Sequence, residues 1–335
     1  MRIHSSAPTR IDLAGGTYDI WPLYLFHERA QTINAAISLR AECTISSRTD
    51  RRVVLISDDT GEQVEAASAR DLGVERLPLV ARLVRHFDAG GIEVRTRSGS
   101  PVGAGIAGSS AMDVAIAAAL ARWTGATLTD DELLSLAINI EAQVIAVPAG
   151  VQDYRPALYG GVSAVELSVT GVKRVGLKVD LDELNRRVVL AYTGASRQSG
   201  INNWDVMMRR INGDPAVVAA FDGIRDAAIG MRAALGTSDW NGVASHLSDE
   251  WRHRKLLAPG VTTPSIDALF DRARAAGAIA GKVCGAGGGG CLFCLVEPAR
   301  QGAVAAALAE GGATVLPFSF EPEGLRVEET SAVVV

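Results

Sequence analysis

Three stretches of the sequence combine glycine-rich backbone with side chains suited to handling a phosphate. Pro101-Val-Gly103-Ala104-Gly105-Ile106-Ala107-Gly108-Ser109-Ser110-Ala111 offers backbone N–H groups unobstructed by large side chains and ends in two hydroxyls. At the start of a helix such groups attract anions, because the helix dipole favours each negative charge by roughly 0.3–1 kcal/mol. Ser109 adds an oxygen ligand for Mg2+, a cation that takes oxygen donors, usually one or two carboxylates together with phosphates. Upstream, Pro8-Thr-Arg10-Ile-Asp12-Leu-Ala-Gly15-Gly16-Thr17-Tyr18-Asp19 sets a cation and carboxylates around a glycine turn. Downstream, Gly285-Ala-Gly287-Gly288-Gly289-Gly290 holds five glycines in six positions. Each glycine gives up roughly 0.5–1 kcal/mol relative to alanine in a helix or strand, so such a run implies a backbone that something must approach closely.

Alternative readings of the central loop differ in what must surround it. Gly103-Ala-Gly105-Ile-Ala-Gly108 fits G-x-G-x-x-G, but a dinucleotide site also needs a second parallel strand ending in an acidic residue about 20 positions on. The sequence continues instead as helix, Gly125 and a second helix. A P-loop would end Gly-Lys-Ser/Thr, and this loop ends Gly108-Ser-Ser110 without the lysine. A phosphate cradle at a helix N-terminus and a glycine turn serving only close packing both remain open on the loop alone.

The elements that must position these clusters follow from periodicity and punctuation. Ala41–Arg48 and Val53–Ser57 read as strands, Leu79–Asp88 as a helix, and Ile92–Arg97 as a strand running into the loop. Ser109–Trp123, rich in alanine and leucine, reads as a helix ended by Gly125. Thr129-Asp-Asp-Glu132 is a capping box opening a helix to about Val144. Val188–Tyr192 opens a second half, followed by helices at Ile201–Ile211, Ala216–Leu235, Trp240–Leu257 and Pro264–Gly277. A strand at Cys291–Val296, a helix at Arg300–Glu310 and a strand at Thr314–Glu321 complete it. With 335 residues and 48% hydrophobic content, two lobes are expected, divided between 170 and 187.

Together the clusters resemble the motifs of the GHMP kinase superfamily, the galactokinase, homoserine kinase, mevalonate kinase and phosphomevalonate kinase group, over nearly the whole chain. Within it the sequence is most similar to the bacterial D-glycero-D-manno-heptose (7-phosphate) kinase branch. The residues that carry this are Gly15-Gly16-Thr17-Tyr18-Asp19, Ile140-Glu141, Gly150-x-Gln152-Asp153, Tyr192-Thr-Gly-x-Ser-Arg197 and Gly285–Gly290. Departures from the family pattern are Ala107-Gly108 for the commoner Gly-Ser and Tyr18 where threonine is usual.

The resemblance implies an α+β, two-lobed GHMP kinase fold, with a ribosomal protein S5 domain 2-like ATP-binding lobe over 1–180 and a ferredoxin-like lobe over 181–335. It implies ATP and Mg2+ as cofactors and a sugar hydroxyl as acceptor, the anomeric hydroxyl of a heptose or heptose 7-phosphate. Asp153 becomes the base for that hydroxyl and Arg10 the cation beside it, although by position alone Asp153 reads first as a solvated turn aspartate. Pro101, Gly103, Ala104, Gly105, Ile106, Ala107, Gly108, Ser109 and Ser110 become the nucleotide loop. Ser109 and Glu141 become the Mg2+ ligands. Asp19, Gly16, Thr17, Gly287, Gly288 and Arg197 become substrate contacts, with Ser199, Trp251 and Lys255 as further candidates.

Composition agrees with a small-molecule partner. A net charge of −5 and a pI near 5.6 provide no positive field for nucleic acid or an anionic membrane. The opening Met1-Arg-Ile-His-Ser-Ser-Ala-Pro lacks the apolar core of a signal peptide, and no apolar run approaches the roughly 18 residues of a membrane span. Cys43, Cys284, Cys291 and Cys294 have no histidine at zinc-ligand spacing and read as buried thiols. The expectation is a cytoplasmic protein binding a sugar or sugar phosphate, with a homodimer left open.

Overall fold

The computed structural model describes residues 1–195 and 199–330. The chain opens with β1 (Arg2–Ala14) and β2 (Gln31–Ser47), strands of 13 and 17 residues paired antiparallel. The sequence reading began its strands only at Ala41. From Ile3 to Ala14 nearly every residue of β1 is buried, including Ser5, Thr9, Arg10 and Asp12, so the alternation that betrays a half-exposed strand is missing.

Next come β3 (Val53–Ser57), β4 (Gln63–Ala66), α1 (Pro78–His86) and β5 (Ile92–Ser98), then α2 (Gly108–Thr124), α3 (Asp130–Ile145) and α4 (Tyr154–Tyr159). Helix α2 is buried on nearly all sides because its residues are small and apolar. It ends at Gly125, which takes the left-handed conformation (φ 73°) that glycine adopts at little cost. The Thr129 capping box forms as expected: Thr129 Oγ1 accepts from the Glu132 N–H, and Glu132 Oε2 accepts from the Thr129 N–H at 2.8 Å.

A hairpin of β6 (Val162–Ser168) and β7 (Gly171–Leu177) closes this half. The second half holds α5 (Leu181–Arg187), β8 (Val188–Tyr192), α6 (Ser199–Ile211), α7 (Pro215–Gly236), α8 (Trp240–Arg254) and α9 (Pro264–Ala276). It continues with β9 (Ala278–Val283), β10 (Cys291–Val296), α10 (Gln301–Glu310) and β11 (Thr314–Val315), and the chain then returns to the first half as β12 (Arg326–Thr330).

The larger sheet runs β12-β1-β2-β5-β3-β4, with β6 and β7 joined to β2; the smaller runs β11-β8-β10-β9. The expected strand over Thr314–Glu321 is cut to Thr314–Val315, since Pro317 has no N–H for a ladder. The following residues cross to the larger sheet, where the Ser38 N–H donates to the Ser319 carbonyl and the Glu321 N–H to that of Ala36. All four cysteines are buried, and none is in a disulfide. Among the described residues no helix is long and apolar enough to cross a membrane.

Buried charges tie the two halves together. Lys282 Nζ of β9 donates to Asp12 Oδ2 of β1 at 2.6 Å and to Glu250 Oε1 of α8 at 3.2 Å. Arg254 Nε donates to that same Glu250 oxygen at 2.8 Å, and the guanidinium reaches the first glycine turn at Thr17 Oγ1 (3.0 Å) and the Gly16 carbonyl (2.9 Å). The Gly285 N–H donates to Asp12 Oδ1 at 2.9 Å. Burial opposes charge on Asp12, yet Lys282, Arg10 and Arg254 outweigh it and hold the carboxyl well below its ordinary range. Removing one member leaves its partner charged and buried. Asp12→Ala is expected to cost about 3–5 kcal/mol, read as a lowered midpoint in urea unfolding; a change under about 1 kcal/mol would remove this joint from the account.

Candidate active site

The loop between β5 and α2 curls through three left-handed residues, Gly103 (φ 69°), Gly105 (φ 74°) and Ala107 (φ 64°), and α2 begins without a side-chain cap. The first N–H groups of the helix therefore stay available to a ligand. They border a cleft of about 420 Å³, lined along the loop by Pro101–Gly105 and Ala107–Ser110 and also by Arg10, Glu141 and Asp153. The Ile106 side chain turns into the core, while its carbonyl accepts from the Arg10 N–H at 3.0 Å. At Gly108 a Cβ would lie 2.7 Å from Ser100 Oγ, so a side chain there would have to turn that hydroxyl aside.

Arg10 and Asp153 meet at this cleft. Arg10 Nε and Nη2 donate to Asp153 Oδ1 at 2.9 and 2.7 Å, and Nη1 donates to the Gly105 carbonyl at 3.1 Å. Asp153 is the residue before the first turn of α4, not a residue in an open turn, and its side chain keeps 25% of its surface exposed while Arg10 keeps 3%. One carboxylate oxygen is thus fixed by a buried guanidinium, and Oδ2 has no protein partner among the described residues.

Asp19 sits beside this pair and is 2% exposed. Its carboxylate accepts from the Gln152 N–H at 3.0 Å and from Gln152 Nε2 at 3.1 Å. Burial and the neighbouring charge of Asp153 raise its carboxyl to about 6, against the opposing pull of the Gln152 N–H and Arg10. Gly150 makes this seat: a Cβ there would stand 2.2 Å from Asp19 Oδ2.

On the other flank, Glu141 Oε2 of α3 accepts from Ser110 Oγ at 2.8 Å and from the Tyr154 hydroxyl of α4. The hydroxyl touching Glu141 is therefore that of Ser110, whereas Ser109 lines the cleft without reaching Glu141. Asp113, one turn further along α2, is fully buried, and neither of its oxygens has a hydrogen-bond partner. Among the described residues no cluster of three or more His, Cys, Asp or Glu could hold a metal. The oxygen donors of Ser109, Ser110, Glu141 and Asp113 nevertheless suit a hard divalent cation that completes its shell with phosphate and water.

The third glycine cluster has a different task. A Cβ on Gly287 would lie 2.4 Å from the Val261 carbonyl oxygen, one on Gly288 2.9 Å from that of Gly260, and one on Gly290 2.6 Å from that of Ala104. The close approach foreseen for this run is made by the protein's own backbone, and Gly287 and Gly288 do not line the cleft. Gly16 is likewise confined, its Cβ position lying 2.8 Å from Asp12 Oδ2, and Thr17 is held by Arg254.

Tyr18 is core, packed edge-on against His27 and Phe221 with its hydroxyl on the Phe221 carbonyl. Trp251 and Lys255 line a separate cavity of about 230 Å³ between α8, α9 and β9. Arg197 and the Ser199 side chain lie outside the described residues. The sequence reading gave no role to Gln152, Tyr154, Asp113, Lys282 or Arg254, and left Asp12 without one. Of these only Asp12 and Gln152 fall inside a recognised motif.

An uncapped helix N-terminus, a carboxylate clamped by a buried arginine and a hydroxyl–carboxylate cluster on the opposite flank describe a phosphotransferase cleft. Comparison with known proteins agrees. Residues 75–161 match the GHMP kinases N terminal domain and residues 231–314 the GHMP kinases C terminal domain. The chain is 31% identical to a D-glycero-alpha-D-manno-heptose 7-phosphate kinase of Campylobacter jejuni, over 97% of this chain and 98% of that one. It is 28% identical to a mevalonate kinase of Thermococcus gammatolerans over 98% and 99% of the two chains. The crystal structure of a D-glycero-D-manno-heptose 1-phosphate kinase from Bacteriodes thetaiotaomicron superposes with a TM-score of 0.80 at 28% identity, covering 98% and 100%. The chain belongs to the GHMP kinase family and is a phosphotransferase.

The state of Asp19 provides a test. If its anion receives acceptor hydroxyls, kcat/KM for the acceptor should fall as pH drops below about 6 while nucleotide affinity holds, and Asp19→Asn should abolish that inflection. A profile unchanged by Asp19→Asn would show that Asp19 does not set the acidic limb. Gly150→Ala should reproduce the loss of acceptor affinity by displacing Asp19.

Proposed function

We propose that the enzyme transfers the γ-phosphate of Mg·ATP to a sugar hydroxyl, and that its acceptor is a heptose or heptose 7-phosphate phosphorylated at the anomeric hydroxyl. The observation that supports this most is the position of Asp153: bound through one oxygen to Arg10 at the edge of the phosphate loop, and adjacent to a second carboxylate, Asp19, that can accept hydroxyls. Two neighbouring carboxylates, Asp153 in the cleft wall and Asp19 buried beside it, suit a polyol and disfavour a carboxylate-bearing acceptor such as mevalonate. The heptose kinase names carried by relatives at 28–31% identity point the same way.

In this reading the loop N–H groups and the dipole of α2 hold the phosphates. Glu141, with the Ser109 and Ser110 hydroxyls, would hold Mg2+, which when bound neutralises phosphate charge. Asp153 Oδ2 takes the proton of the acceptor hydroxyl as the acceptor's own oxygen bonds to the γ-phosphorus, the bond from that phosphorus to the β-phosphate oxygen breaks, and ADP leaves. Arg10 orients Asp153 through its two hydrogen bonds and offsets charge on the moving phosphoryl group.

Asp153→Asn preserves shape and removes the base. It is expected to lower kcat at least ~10²-fold while nucleotide affinity stays within a factor of about two. Near-normal turnover in this variant would take Asp153 out of the mechanism. The acceptor is tested by offering heptose, heptose 7-phosphate, galactose, fucose, a uronic acid and mevalonate, reading ADP release and the phosphorus NMR shift of the product. An anomeric phosphate formed from a heptose supports the proposal; preference for any other acceptor replaces it.

A further inference from the structure

The buried residues of helix α2 are apolar except for Ser110 in its first turn and Asp113. Asp113 stands among Ala111, Met112, Val114, Ala115 and Ile116 with no exposed surface, and neither carboxylate oxygen has a hydrogen-bond partner. A buried polar group without a partner costs roughly 1–3 kcal/mol, and a charged one more. An apolar residue of similar size would avoid that cost, so the position is poorly explained by packing.

Its place on the helix gives the alternative. Asp113 follows Ser110 by three residues and Ser109 by four, the spacings that put side chains on one face of an α-helix. Across that face stands Glu141, which holds the Ser110 hydroxyl and the Tyr154 hydroxyl on a single oxygen. The charge acting on Asp113 is that of Glu141, and together with burial it raises the Asp113 carboxyl well above the ordinary range. Tyr154 feels both carboxylates and burial, and its hydroxyl is held well above its usual value, so it remains a donor. Glu141 lines the cleft while Asp113 is buried on the same helix face as Ser109 and Ser110, and among the described residues no Lys or Arg pairs with Asp113. A divalent cation would relieve both the like-charge repulsion and the unpartnered oxygens.

We propose that Asp113 is a second acidic residue of the divalent-cation site, acting with Glu141 and the paired serine hydroxyls to recruit the cation that accompanies the nucleotide. The inference rests on the cation assignment made for Glu141 above and is independent of which acceptor the enzyme uses. Asp113 counts here as a residue that holds or orients the cation through its charge.

The test uses Mn2+ as the probe, with free Mn2+ measured by electron paramagnetic resonance during titration of the full-length protein, alone and with a non-hydrolysable ATP analogue. Asp113→Asn, which keeps the shape, Asp113→Leu and Glu141→Gln are compared with the unmodified protein. Loss of roughly 10–100-fold in Mn2+ affinity in both Asp113 variants, as for loss of a supporting residue at a metal site, is the expected result. Thermal unfolding supplies a second readout that does not depend on turnover. In chelator Asp113→Leu should unfold at a higher temperature than the unmodified protein, because the buried carboxyl without a hydrogen-bond partner is gone. Added Mn2+ should stabilise the unmodified protein and leave Asp113→Leu nearly unmoved, by the linkage between binding and folding. Unchanged Mn2+ affinity in Asp113→Asn with weakened affinity in Glu141→Gln would overturn this inference and leave the Glu141 assignment standing. Unchanged affinity in all variants would overturn both.

Discussion

Arg10 is the side chain on which the cleft depends. Its guanidinium is buried, and what balances its charge is spread over three parts of the fold: Asp153 at the start of α4, Asp12 two residues along β1, and the Gly105 carbonyl in the phosphate loop. Burial disfavours the cation, and the charges of Asp153 and Asp12 outweigh it, so the arginine is held above its ordinary value. A buried cation must be matched closely or it destabilises the fold. That requirement fixes the distance between loop and carboxylate, and hence where a phosphate and an acceptor hydroxyl could meet.

The pairing continues into the second half through Asp12, Lys282, Glu250 and Arg254. Counted as charges, Arg10, Lys282 and Arg254 balance Asp12, Glu250 and Asp153. Asp19 lies beside this network with no cation among the described residues bonded to it, in keeping with its raised position near 6. The glycine run serves the same joint by other means. The Cys291 N–H donates to the Ala104 carbonyl at 2.6 Å, and Gly290 has no room for a side chain against that residue. The phosphate loop is thereby braced by the half of the protein that does not contain it.

Local features were legible in the sequence and distant pairings were not. The Thr129 box, the Gly125 stop and the helix following the glycine loop each depend on residues within a few positions. Strands β1 and β2 were underestimated because Arg10 and Asp12 are buried by partners that no local pattern reveals; Lys282 lies 270 residues from Asp12. The resemblance named Asp153, Arg10 and Glu141, which the structure brings to one cleft, and named Ser109 with Glu141 as cation ligands, whereas the hydroxyl bonded to Glu141 here is that of Ser110. Gly287 and Gly288, named as substrate contacts, lie against the Val261 and Gly260 carbonyls, an approach that no local pattern reveals. Tyr18, where the sequence departs from the family pattern, packs its ring against Phe221 and does not line the cleft.

The central claim is that Arg10 and Asp153 act as one unit. A double-mutant cycle on kcat with Arg10→Gln, Asp153→Asn and the combined variant measures this directly. If the pair is a unit, the double variant should lose about as much rate as the more damaging single variant, a coupling well above the roughly 0.5 kcal/mol of independent sites. Losses that simply multiply would contradict it, and would mean that the arginine and the carboxylate serve the cleft separately.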